Sequence, residues 1–160
     1  MTPDFRAVID SLVAHDTEFV IVGAVALVLH GSGRVTRDLD ICYARNHENL
    51  GRLSAALVRF SPTLRGAPPD LPFKLDVATL QSGLNFTLAT SAGDLDLLAE
   101  LAGLGGFQVV RRLSDPMDLY DHRVHVLSLE GLERAKRAAG RLKDLLDLAE
   151  ILEIRRRTGR

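Results

Sequence analysis

Glu18-Phe-Val-Ile-Val-Gly-Ala-Val-Ala-Leu-Val-Leu-His30 is followed, after Gly31-Ser-Gly-Arg34, by Val35-Thr-Arg-Asp-Leu-Asp-Ile-Cys-Tyr43. The first run opens with β-branched and aromatic residues that favour a strand, and Gly23 interrupts it before a helix-compatible stretch, Ala24 to His30. In the second run polar and apolar residues alternate with the period of a half-buried strand, so Asp38 and Asp40 project from one face, about 7 Å apart along the chain. Strand, tight turn, helix, loop and carboxylate-bearing strand are thereby in sequence. Two carboxylates this close repel unless a cation lies between them, and an all-oxygen donor pair suits a hard divalent ion.

Working outward, Thr2-Pro3 reads as an N-cap and first helical position, and Phe5, Val8, Ile9, Leu12 and Val13 recur at helical spacing to about His15. Downstream, Asn46 can cap a helix with apolar positions Leu50, Leu53, Leu57 and Val58. Residues 61–72 hold four of the six prolines, which predicts a loop, and nothing in it looks catalytic. Leu75 to Gln81 reads as a short helix, with Lys74 and Asp76 at its start explained by N-terminal charge and solvation. Asn85 to Thr90 and Asp94 to Leu98 flank Ser91-Ala-Gly93 as a hairpin. Phe107 to Arg111 and Val124 to Leu127 are further strand candidates. Gly140 splits two C-terminal helices, about Leu129–Ala139 and Arg141–Arg156, and the second shows an apolar stripe of Leu142, Leu145, Leu146, Ala149 and Leu152 expected to be buried, with Lys143 and Asp147 as a surface pair. The class is α+β, or mixed α/β.

At 160 residues, 46% of them hydrophobic, the chain supports one sizeable core, so a single domain over 1–160 is expected, with a core to about residue 115 and a C-terminal strand and helices beyond. One cysteine, Cys42, excludes an intramolecular disulfide framework and fits core packing. The N-terminus lacks the build of a signal peptide, and the longest apolar run is about half a bilayer span, so a cytoplasmic chain with no membrane partner is expected. Net charge is −1, yet residues 131–160 carry nine Lys/Arg against five Asp/Glu. Near-neutral charge and two tyrosines with no tryptophan give little equipment for a plain nucleic-acid-binding module. His30 reads as a helix C-terminal residue favoured by the dipole.

Val22-Gly23-Ala24, thirteen residues, and Asp38-Leu39-Asp40-Ile41 together resemble the signature of the nucleotidyltransferase superfamily, the DNA polymerase beta-like fold. Ala24 departs from the serine or glycine usual there, which removes a hydroxyl contact but not a backbone one. His30-Gly31, Arg34, Thr36 to Asp40, Leu95-Asp96-Leu97-Leu98 and Lys136 with Gly140 to Asp144 look like the small bacterial nucleotidyltransferases related to AbiEii-type toxins.

That resemblance implies a mixed sheet flanked by helices and two Mg2+ ions (Mn2+ as a substitute) on Asp38 and Asp40. It also implies a third carboxylate from a neighbouring strand. Asp94 and Asp96 share a strand face, and Asp96 is chosen because Leu95, Leu97 and Leu98 set it inside the sheet and the family pattern aligns with it. Gly23, Ala24, Thr36 and Lys143 are the nucleotide-binding candidates, with Lys143 as a point charge for phosphate. The activity implied is transfer of a nucleoside monophosphate from a nucleoside triphosphate to a hydroxyl of an acceptor such as RNA or protein, in a toxin–antitoxin-like setting with a cognate partner protein. The alternative is a non-catalytic nucleotide-binding or antitoxin-like protein of the same fold.

Overall fold

The computed structural model describes residues 2–160. In chain order the elements are α1 (Phe5–Ala14), β1 (Phe19–Val22), α2 (Gly23–Leu29), β2 (Asp38–Tyr43), α3 (His47–Leu57), β3 (Thr63–Leu64), α4 (Val77–Ser82), β4 (Asn85–Thr90) and β5 (Gly93–Leu98). They continue with β6 (Glu100–Leu101), β7 (Gly105–Gly106), α5 (Phe107–Arg112), β8 (Ser114–Leu119), β9 (His122–Leu127), α6 (Leu129–Ala139) and α7 (Leu142–Thr158). Seven strands form one sheet in the order β3-β4-β5-β2-β1-β9-β8, and β6 and β7 pair separately. The β2–β5 and β1–β9 pairs are parallel and the rest antiparallel, so the sheet is mixed and the expected α+β class is observed.

The core follows from the strand alternation. Leu39 and Ile41 of β2 and Leu95 and Leu97 of β5 are buried, as are Ile9 and Leu12 of α1 and Leu50, Leu53 and Leu57 of α3. Burying each such side chain contributes about 1.5–3 kcal/mol. Asn46 caps α3 as expected, its Oδ1 accepting from Asn49 N at 2.9 Å.

Several boundaries differ from the sequence reading. The cap of α1 is Asp4, whose carboxylate accepts from Ala7 N at 3.1 Å, a stronger acceptor than Thr2 offers. Strand β2 begins at Asp38 rather than Val35, which is 93% exposed. Phe107 to Arg111 is helical: Phe107 and Val110 are buried three apart, so tertiary burial overrides β propensity. The 61–72 loop contains β3, which pairs with β4. Strand β8 went unread because Ser-Asp-Pro-Met-Asp-Leu is polar and contains Pro116; it lies at the sheet edge, where a missing N–H is tolerated. Val58 is 69% exposed, outside the stripe assigned to α3.

The largest difference is the orientation of α7. Gly140 adopts φ +62 and lets α7 fold back on α6, where Glu133 meets Arg155 at 2.8 Å. Asp144, Ile151 and Ile154 are buried, whereas Leu142, Leu145, Leu146 and Leu152 are exposed. Ion pairs fix this: Arg34 reaches Asp147 at 2.8 Å and also holds Glu150, Lys136 reaches Asp147 at 2.9 Å, and Arg141 reaches Asp144 at 2.7 Å. Turning the leucines inward would strand those charges. Asp147 therefore pairs with Arg34 and Lys136, not with Lys143.

Candidate active site

Strand β2 lies in parallel register with β5, setting Asp38 opposite Asp94 and Asp40 opposite Asp96. Alternation puts all four on one face while the intervening leucines enter the core. Across the antiparallel neighbour, Asp40 stands opposite Val22, immediately before the turn.

Gly23 is dictated by Asp40. Its φ is +66, and a Cβ there would lie 2.1 Å from Asp40 Oδ2, so no other residue fits without moving the carboxylate. Asp40 Oδ1 is buried and has no hydrogen-bond partner. Burial raises its carboxyl to about 7, helped by the neighbouring Asp96 and Asp38 carboxylates, while Lys136 pulls the other way. An unpartnered carboxylate oxygen facing two further carboxylates is what a divalent cation would satisfy.

Asp96 is engaged by a residue that the sequence reading passed over. Arg65, directly after β3, donates from Nη2 to Asp96 Oδ1 at 2.7 Å and to Leu88 O at 2.8 Å, and its Nε lies 3.4 Å from Asp94 Oδ2. Its own backbone N–H bonds Thr87 O at 2.9 Å, so pairing of the loop with β4 delivers the guanidinium. The one signal available was a lone arginine beside the Thr63-Leu64 pair; nothing local specified the register that aims it. Among the described residues no three acidic, histidine or cysteine side chains already converge as a metal cage, consistent with Arg65 drawing on Asp96 and Asp94. Asp96 is the less exposed of that pair, 24% against 41% for Asp94.

The other candidates gather around the same carboxylates. A cleft of about 360 Å³ is lined by Gly23, Ala24, Arg34, Thr36, Asp38, Asp40, Lys136, Lys143 and Asp147, among others. An adjoining space of about 190 Å³ lies between Gly23, Asp40, Leu98 and Lys136. Thr36 precedes β2 rather than lying on it, and its hydroxyl donates to Asp38 O at 3.1 Å, closing a local turn. Lys143 is exposed and forms no ion pair among the described residues. Lys136, which also lines the cleft, is committed to Asp147 and, at 3.4 Å, to Asp144. The Asp144 carboxyl is held down at about 2, first by its hydrogen bond from Arg141 and against its burial. Asp147 is likewise depressed: burial opposes its charge, but Lys136 and Arg34 prevail. A larger cavity, about 490 Å³ between Thr17, Phe107, Arg111 and His125, holds none of the candidate residues.

Two other expectations are settled locally. His30 is a buried neutral imidazole whose ordinary affinity for a proton is lowered chiefly by burial; Nε2 lies 2.8 Å from Leu127 O, so it ties α2 to β9 instead of placing a charge on the helix dipole. Cys42 is core, with burial pushing its thiol up to about 12.

No protein-family model and no curated protein matches the chain. Among solved structures it is similar to a candidate nucleotidyltransferase from Thermotoga maritima, with a TM-score of 0.57 at 17% identity, covering 93% of this chain and 90% of that one. The fold is therefore nucleotidyltransferase-like. No helix among the described residues is long and apolar enough to cross a membrane.

Proposed function

We propose that the chain is a Mg2+-dependent nucleotidyltransferase that moves a nucleoside monophosphate from a nucleoside triphosphate to an acceptor hydroxyl. The observation that carries this reading is the buried, unpartnered Asp40 oxygen, in register with Asp96 and pressed against Gly23. The donors are all carboxylate oxygens, which fit Mg2+ or Mn2+ and not a thiophilic ion. Asp38, Asp40 and Asp96 would hold two ions, which when bound screen the triphosphate charge and acidify the acceptor hydroxyl.

The remaining roles fall to the chain itself. Gly23 and Ala24 present backbone without bulk, so phosphate oxygens approach Asp40 closely. Lys143 supplies a mobile ammonium at the cleft mouth for the outer phosphates. Thr36 fixes the backbone at Asp38 and so its carboxylate direction. Asp96 takes the proton of the attacking hydroxyl; the new bond forms to the α-phosphorus and pyrophosphate leaves. The T. maritima likeness supports the fold on which this rests.

The finer setting belongs to the same proposal: a cytoplasmic enzyme acting on RNA or protein, of the AbiEii-related toxin–antitoxin type, with a cognate partner protein. A non-catalytic nucleotide-binding protein is the second reading, favoured by Arg65 occupying Asp96 and by Ala24 in place of a hydroxyl residue. Incubation with each of the four labelled triphosphates, Mg2+, and total RNA or lysate protein separates them. Label transfer supports the enzyme; metal-dependent nucleotide binding without transfer supports the second reading, and neither overturns both.

A further inference from the structure

The outward face of α7 is apolar from Leu142 to Leu152 and becomes charged beyond it, at Glu153, Arg156 and Arg157. Leu142 is 82% exposed, Leu145 55%, Leu146 74% and Leu152 42%, while the polar face of the helix is locked inward by the Arg34, Lys136 and Arg141 ion pairs. Leu142, Leu145, Ala149 and Leu152 recur with spacings of three, four and three, the seam of a coiled coil carried over two heptads. The leucines present on the order of 500 Å² of apolar surface, at the upper end of what a monomer leaves open.

We propose that this seam is the interface with a second copy of the chain, the two α7 helices packing antiparallel about a two-fold axis near Asp147. The seam is complementary to itself in that register. Leu142 meets Leu152 of the partner subunit in the outer layers, and Leu145 meets Ala149 of the partner subunit in the inner ones, where a large side chain enters the space above a small one. Leu146 falls beside the axis next to its own symmetry mate. Sliding the register by one heptad would set Leu145 against a charged Arg156 of the partner subunit in one direction, and in the other would leave Ala149 and Leu152 beyond the start of the partner helix at Leu142. Complete coverage of these leucines on two copies would bury at most about 1,000 Å², the lower bound of a specific interface, which the stems of flanking residues would extend. Antiparallel helices also bring opposite dipole ends together. Because α7 carries Lys143 and Asp147 into the cleft, dimerisation would steady one wall of it.

Sedimentation velocity from low micromolar to several hundred micromolar tests this. A concentration-dependent species of twice the chain mass is expected. Leu145→Lys should weaken it at least about thirtyfold, as for a central interface residue. The Leu145→Lys/Leu152→Lys pair should be monomeric, and should melt like the wild type at low micromolar concentration but without the wild type's rise in Tm at higher concentration, since both positions are exposed and only dimerisation is lost. Val58→Lys, an exposed apolar site elsewhere, should leave the dimer intact. Cys42 is buried, so an introduced thiol reports alone: a short bis-maleimide should link Leu146→Cys copies but not Glu153→Cys copies, which a parallel pair would also link. A chain that stays monomeric throughout overturns the proposal, as does a dimer that survives the double substitution. So does a monomer that assembles only with a different protein or on lipid vesicles.

Discussion

Replacing Asp40 by asparagine should stabilise the metal-free protein while abolishing its response to Mg2+. The carboxyl titrates near 3.8 in the unfolded chain and near 7 in the folded one, held neutral by burial and by the Asp96 and Asp38 charges. For an acid whose folded value is raised, the sign is unfavourable to folding at high pH. Below about 4 the group is protonated in both states and contributes nothing. Between the two values folding takes up a proton and stability falls as pH rises; above about 7 the full penalty is present. That penalty is roughly 4 kcal/mol. The amide keeps the shape but bears its own burial cost of about 1–2 kcal/mol, leaving a net gain of about 2–3 kcal/mol at pH 8 and about zero at pH 5. In a chain of this length this is roughly 5–10 °C in Tm. Melting of wild type and Asp40→Asn in EDTA at both pH values measures it. Mg2+ at a thousandfold excess over Kd should then reverse the order at pH 8, since only the wild type gains from a ligand that binds the folded state, by about 4 kcal/mol. An Asp40→Asn protein that melts below wild type in EDTA at pH 8, or a gain equal at pH 5 and pH 8, refutes the reasoning.

Other substitutions probe the neighbouring groups. Gly23→Ala combines a positive φ with a Cβ 2.1 Å from the Asp40 carboxylate, so it should cost about 1–3 kcal/mol in unfolding experiments and weaken Mg2+ binding measured by calorimetry. Lys143→Ala should reduce affinity for a triphosphate more than for the monophosphate, with Tm unchanged; equal losses would place the ammonium away from the outer phosphates. Asp96→Asn should lower label transfer by orders of magnitude with triphosphate binding retained, and Asp94→Asn should be mild; the reverse ranking would move the third carboxylate to Asp94. Arg65→Ala removes the cation beside Asp96, and should increase the number or affinity of bound Mn2+ ions counted by electron paramagnetic resonance, whereas a loss of binding would make Arg65 a support of the site and not a competitor for it.

Local chemistry in the chain was enough for the elements that build the cleft. Strand alternation put Asp38 and Asp40 on one face, the hairpin around Ser91-Ala-Gly93 put Asp94 and Asp96 on one face, and Gly23 marked the turn beside them. These readings held because periodicity and glycine act over a few residues. Tertiary structure decided what depends on partners distant in the chain. Only the parallel β2–β5 register sets Asp40 against Asp96, and only the β3–β4 pairing brings Arg65 onto that carboxylate from a loop with no chemical signature of its own. The reversal of α7 has the same origin. Its leucine stripe is amphipathic by any local measure, but the charges on its other face meet Arg34 from a loop more than a hundred residues earlier and Lys136 from α6, and rotating the helix would leave those partly buried cations without their carboxylates.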